Sequence, residues 1–166
     1  IARDPRRFTF LSNCLPDARV VLGDARLSLA RQAPSTADVL IIDAFTSDAV
    51  PMHLLTREAF ELYRRVLQPE GILLVHISNR HLDLQPVVAA AARGQLHALR
   101  GCHDPLPRPE LMGASPSRWI ALSASPAKLQ ELRSATRPSF WEPLPTYASF
   151  PGWTDDYGSI LPIIKR

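Results

Sequence analysis

Two continuous apolar runs stand out along the chain. Val39-Leu40-Ile41-Ile42 is bracketed by Asp38 and Asp43, and Ile72-Leu73-Leu74-Val75 continues through His76 to Ile77. Neither alternates with polar residues, the mark of strands buried on both faces, as in a parallel sheet. A shorter β-branched run, Val20-Val21-Leu22, stops at Gly23-Asp24, and Arg26 to Gln32 then has helix-forming composition without a breaker. That order reads strand, turn, helix. Between the two long runs, Thr56 caps a predicted helix, Glu58 sits in its positive first turn, and Leu55 with Phe60 has the spacing of a hydrophobic staple. Phe60, Tyr63, Val66 and Leu67 fall on one stripe of that helix, and Pro69-Glu70-Gly71 is expected to end it before the next strand.

Beyond Ile77, Asp83 and Pro86 introduce an alanine-rich helix that Gly94 stops, and Leu96 to Gly101 reads as a further strand. The breakers Pro105, Pro107, Pro109, Gly113 and Pro116 predict a long loop between His103 and Arg118. Arg118 to Ser123 is then a strand, and Ser125-Pro126 opens a last helix whose buried edge carries Leu129 and Leu132. The tail, 134–166, is irregular, yet Phe140, Trp141, Tyr147, Phe150, Trp153 and Tyr157 predict that it packs down over the domain. Strands alternating with helices imply an α/β fold: a mostly parallel sheet with helices on both faces. Such a sheet places ligands outside the carboxyl ends of its strands, where Asp24, Asp43, Asp48 and Asn79 are expected.

With 166 residues and 46% apolar content, the chain can bury one core, so a single domain over 1–166 is expected. The apolar runs are far too short to cross a bilayer and no charged-then-apolar leader opens the sequence, so a soluble chain without direct membrane insertion is expected. The opening IARDPRRF reads like the middle of a longer polypeptide. Cys14 and Cys102 are the only cysteines and form no CxxC pair, which fits a reducing cytoplasm. The net charge of +3 comes from arginines spread over many segments, a pattern that argues against nucleic acid as a partner.

Candidate chemistry is concentrated in acids. Asp24, between Gly23 and Ala25, either accepts hydrogen bonds from ribose hydroxyls or an adenine amino group, or simply caps the helix that follows. Asp43 and Asp48 lie in one loop leaving a buried strand, where carboxylates can position an amine, neutralise it and take its proton; the plainer alternative is that Asp43 ends the strand and Asp48 caps a turn. His76, His81 and Asp83 do not make a persuasive metal site, because His76 lies within an apolar strand, and no metal is expected. Cys102-His103-Asp104 is read as coincidence rather than a nucleophile. Ser78-Asn79 either touches substrate or orients its loop, and Asp155-Asp156 either lines a pocket or ties the tail down.

The stretches DAFTSDAVPMHLLTREAFELY and LQPEGILLVHISNRHLDLQPVV, with Gly23-Asp24-Ala25 in support, resemble the carboxy-terminal part of bacterial spermidine synthase-like proteins, including forms fused to membrane transporter-like segments. The likeness runs from roughly Phe8 to Ser125 and returns at Trp153-Thr154-Asp155-Asp156-Tyr157. It implies the Rossmann-like class I S-adenosylmethionine-dependent methyltransferase fold, decarboxylated S-adenosylmethionine as co-substrate, and aminopropyl transfer to a diamine such as putrescine. Asp24, with Ala25 beside it, matches the acid on the adenine side; Asp43 matches the acid that helps deprotonate the attacking amine; Asp48 matches the second, substrate-binding acid of that loop. In the family those two acids stand closer together than they do here. The resemblance also implies pairing of two chains, and a cytoplasmic domain whose parent can be tethered to a membrane.

A fold of this class uses a glycine-rich turn after its first strand and an acid after its second. The seven glycines include no GxG. The expectation is therefore that the first two strands lie outside this sequence and that the chain alone does not turn over substrate. Methyl transfer from S-adenosylmethionine, and a non-catalytic binding or assembly domain on the same scaffold, are the alternative functions.

Overall fold

The computed structural model describes residues 4–44, 50–103, 116–137 and 140–165. Its centre is a five-stranded sheet in the order β1 (Ala37–Ile42), β2 (Leu67–His76), β4 (Ser117–Ser123), β3 (His97–His103), β5 (Trp141–Pro143). The β1–β2 pairing is parallel, and the β2–β4, β4–β3 and β3–β5 pairings are antiparallel. Strands β1, β2 and β3 thus share a direction, with β4 inverted between the last two. The helices are α1 (Phe10–Cys14), α2 (Ala25–Ala30), α3 (Arg57–Val66), α4 (Gln85–Ala92) and α5 (Pro126–Ala135).

Alternation along the strands sorts residues to two faces. Leu73, Val75 and Ile77 of the β2 segment join Ile120 and Leu122 of β4 in the main core, under Phe60 and Tyr63 of α3 and Val87 and Val88 of α4. On the opposite face Ala121 and Trp141 pack with Leu129 of α5, and Leu74 and Trp119 close in around them. The central strands are therefore covered on both faces, as expected, but the sheet is mixed rather than mostly parallel, with one parallel and three antiparallel pairings.

Helix α3 forms as its sequence dictates. Thr56 Oγ1 accepts the Ala59 amide at 3.2 Å, and Leu55 and Phe60 are both buried. The helix ends differently from expectation, because β2 starts at Leu67 and runs through Pro69-Glu70-Gly71 rather than after them. Pro69 is tolerated because this end of β2 bonds to β1 only at Ala37–Leu67, before a shift in register.

Two strand expectations need correction. Val20-Val21-Leu22 forms no strand, and its side chains are exposed, Leu22 at 91%. Among the described residues no strand lies beside it, and a strand without a partner leaves its backbone groups to water. Strand β1 is real but is not buried on both faces: Leu40 packs against the main core and Ile42 belongs to it, whereas Val39 and Ile41 are 53% and 56% exposed. Strand β1 is an edge strand, and among the described residues no helix covers its second face.

The tail packs down as its aromatics predict, and it adds a short strand, β5, that the sequence did not announce. Trp153 is fully buried, and the bridge between Leu82 and Ile164 brings the end of the chain back to the loop after β2. Gly101 lets β5 dock: a Cβ there would stand 2.8 Å from the rings of Phe140 and Trp141. The breaker-rich loop falls mostly on residues 104–115, outside the described residues.

Candidate functional site

Parallel register brings two polar strand ends together. Ile42 pairs with Val75, so the next residues, Asp43 and His76, stand side by side where β1 and β2 finish. His76 Nδ1 lies 2.7 Å from Asp43 Oδ1, and His76 Nε2 lies 2.7 Å from Ser78 Oγ. The imidazole stacks on Trp119, its cross-strand partner on β4, with centroids 4.7 Å apart and planes at 26°. Ser78 Oγ also accepts the Arg118 amide at 2.8 Å, which ties the group to β4. The His76 side chain is 21% exposed and that of Asp43 55%, so the carboxylate is the part offered to solvent.

A second polar group surrounds the start of α2. Asp24 Oδ1 accepts the Leu27 amide at 2.9 Å, which makes Asp24 the helix cap. Its Oδ2 faces His53 Nε2 at 3.3 Å. The Leu27 amide, with the neighbouring His53 adding to it, holds the Asp24 carboxyl below its ordinary value. Ala25, the first residue of α2, is exposed beside it. One residue on, Arg26 makes two 2.6 Å bonds to the Asp155 carboxylate, which also accepts the Thr56 hydroxyl at 2.8 Å. The Arg26 guanidinium, and next the Thr56 hydroxyl, hold the Asp155 carboxyl below its ordinary value. Asp155 thus ties the tail to the starts of α2 and α3, while exposed Asp156 borders a cavity of about 290 Å³ with His53, Trp153 and Tyr157.

Of the sequence-predicted residues, Asp24 and Ala25 belong to this second group and Asp43 to the first, and none of the three lines the cavity of about 290 Å³. Asp24 does not follow a strand; it follows the irregular segment 18–23. Asp48 lies outside the described residues. Asn79 takes the loop-orienting role, its Oδ1 accepting the amides of His81 and Leu82 at 2.9 and 2.8 Å. A further cavity, about 240 Å³, is lined by Arg100, Arg118, Trp119, Phe140 and Glu142, and includes none of the predicted acids. Among the described residues no three of His, Cys, Asp and Glu gather in a way that could hold a metal ion. No helix among them is long and apolar enough to cross a membrane.

His76 is the residue that sequence reasoning missed as a site partner. The signal was present: two apolar runs of one direction, one ending in Asp and the other in His, become neighbours once the strands are paired.

No protein-family model matches the chain, and no curated protein matches it. Among solved structures, a probable spermidine synthase from Corynebacterium glutamicum ATCC 13032 superposes with a TM-score of 0.59 at 21% identity, over 93% of this chain and 62% of that one. The chain has a spermidine synthase-like fold. It spans less than two thirds of the length of that neighbour. MNMC2 from Aquifex aeolicus aligns over 84% of this chain and 44% of its own, at 17% identity and a TM-score of 0.44. With this fold the Rossmann-like architecture that the resemblance implied stands.

Proposed function

We propose that the chain is the acid-bearing part of a transferase that moves an aminopropyl group from decarboxylated S-adenosylmethionine to a diamine such as putrescine. The observation that carries this reading is Asp43, a half-exposed carboxylate at the carboxyl end of a parallel strand pair, held at one oxygen by His76. Ligands of open α/β sheets bind outside such strand ends. A carboxylate there can align an incoming amine and accept the proton it sheds as nitrogen bonds to carbon. The co-substrate supplies an electrophilic carbon beside a sulfonium, whose sulfur leaves with the bonding pair as a thioether. Asp48 is assigned to the second ammonium of the diamine.

The residues present fit the co-substrate in part. Asp24 keeps one oxygen on its helix cap and the other toward His53, with a third of its side chain open, so it and Ala25 suit the edge of an adenine. The glycine turn that would let backbone approach the rest of the molecule is not in this sequence. The chain's own contribution is therefore to the amine and the adenine edge.

Calorimetric titration with decarboxylated S-adenosylmethionine, S-adenosylmethionine and putrescine tests the reading, on this chain and on a longer form carrying about two further strand-helix units ahead of residue 1. Binding of the decarboxylated compound and putrescine by the longer form alone is the expected result. Binding of S-adenosylmethionine without putrescine would replace the reading by methyl transfer. No binding by either form would leave a scaffold domain.

A further inference from the structure

We infer that His76 is a positioning residue for Asp43 and that Ser78 fixes the tautomer in which it works; this rests on the reading of Asp43 as the base. A neutral imidazole offers one N–H and one lone pair. With Asp43 ionised, a 2.7 Å contact requires hydrogen on Nδ1, since a bare Nδ1 would set its lone pair against a carboxylate oxygen. Nε2 must then accept, and the Ser78 hydroxyl, also at 2.7 Å, is the donor. Ser78 Oγ keeps a lone pair for the Arg118 amide at 2.8 Å. For a neutral imidazole beside an ionised Asp43, every hydrogen in this chain of bonds has an acceptor in one arrangement and one only. Stacking on Trp119 holds the ring in its plane.

The consequence falls on Asp43. Its Oδ1 is fixed by the Nδ1–H, so the plane of the carboxylate is set, while among the described residues no bond engages Oδ2. An amine proton is taken on Oδ2: the N–H bond breaks, an O–H bond forms, and His76 stays neutral with its hydrogen on Nδ1. Asp43, His76 and Ser78 resemble a nucleophile triad in distance, but the Arg118 amide occupies a lone pair of Ser78 Oγ, which suits a tether and not an attacking oxygen.

The test combines ring nitrogen NMR with kinetics. In ¹⁵N-labelled chain, His76 is expected almost wholly in the Nδ1–H form, and Ser78→Ala and Asp43→Ala should each release a mixture while the backbone spectrum elsewhere is unchanged. A mixed tautomer in the native chain, or one indifferent to both substitutions, overturns the inference whatever the activity. In the longer form, His76→Leu should lower kcat about 10–100-fold with the KM for the diamine little changed. His76→Asn, whose amide nitrogen can replace Nδ1–H, should recover much of the loss. A pinned tautomer in a longer form without transfer activity would refute the base reading instead, and reduce His76 to a structural tie. Labelling of Ser78 by a fluorophosphonate would overturn the inference in favour of a nucleophile.

Discussion

Thr56 shows how much one hydroxyl can be asked to do. It caps α3 by accepting the Ala59 amide, and it donates to Asp155 from the far end of the chain. The cap is a local matter, readable from the residues around it, whereas the partnership with Asp155 spans 99 positions and becomes visible only in the folded chain. The same holds for His76, whose partners are Asp43, the residue just past β1, and Trp119 on β4. Asp155 also fixes a pH dependence. Its carboxyl and that of Asp24 are both held below the ordinary 3.8. A carboxyl lowered by folding adds stability that is complete above the ordinary value and is lost as pH falls through the lowered one. Asp155→Asn should therefore destabilise by about 1 kcal/mol at neutral pH, a modest figure because the pair is partly open to solvent. The gap should close as pH drops below 3.8. Urea midpoints measured across the acid range check this; a gap that stays constant would mean the carboxylate's charge contributes nothing.

At the scale of elements, packing outweighs local signals. The Thr56 cap is worth about 1 kcal/mol, but Phe60, fully buried between α3 and the sheet, should matter more. Phe60→Ala is expected to destabilise by about 3–5 kcal/mol, against about 1–2 for Thr56→Ala, which loses the bond to Asp155 as well as the cap, in denaturant titrations of the two variants. Comparable losses would place the stability of α3 in its cap. Packing also explains which elements were legible in the sequence. Helix α3 carries its cap, its staple and its apolar stripe within a dozen residues, so its start and its buried face follow from them. Strands β1 and β2 were legible as apolar runs, but the early start of β2 at Leu67 was not, because proline and glycine read as breakers and the pairing of Leu67 with Ala37 ahead of them is a long-range contact. Val20 to Leu22 has the composition of a strand and lacks a neighbour, and composition cannot supply one. Strand β5 failed in the opposite sense. Glu142 and Pro143 have little strand character, yet β3 offers an edge and Gly101 makes room.

The edge of the whole sheet carries the last consequence. Strand β1 ends the order β1-β2-β4-β3-β5, and among the described residues no strand pairs with its outer side. Bare edges of this kind are normally blunted by charge, proline or a covering segment. Here the exposed side chains are Val39 and Ile41, with only Asp38 near the start of the strand as a charge. The same strand delivers Asp43, so whatever pairs with this edge also sets one wall beside the proposed base. An unpaired, apolar edge should recruit a strand from elsewhere, and in a solution of this chain the available strand is that of a second copy. Sedimentation is expected to show association rising with concentration. Ile41→Lys, placing a charge at the centre of the exposed row, should return the chain to monomer without changing its circular dichroism. Concentration-independent monomer in the native chain would show that the edge is already covered, and would remove the strongest physical reason for expecting a further strand beside Asp43.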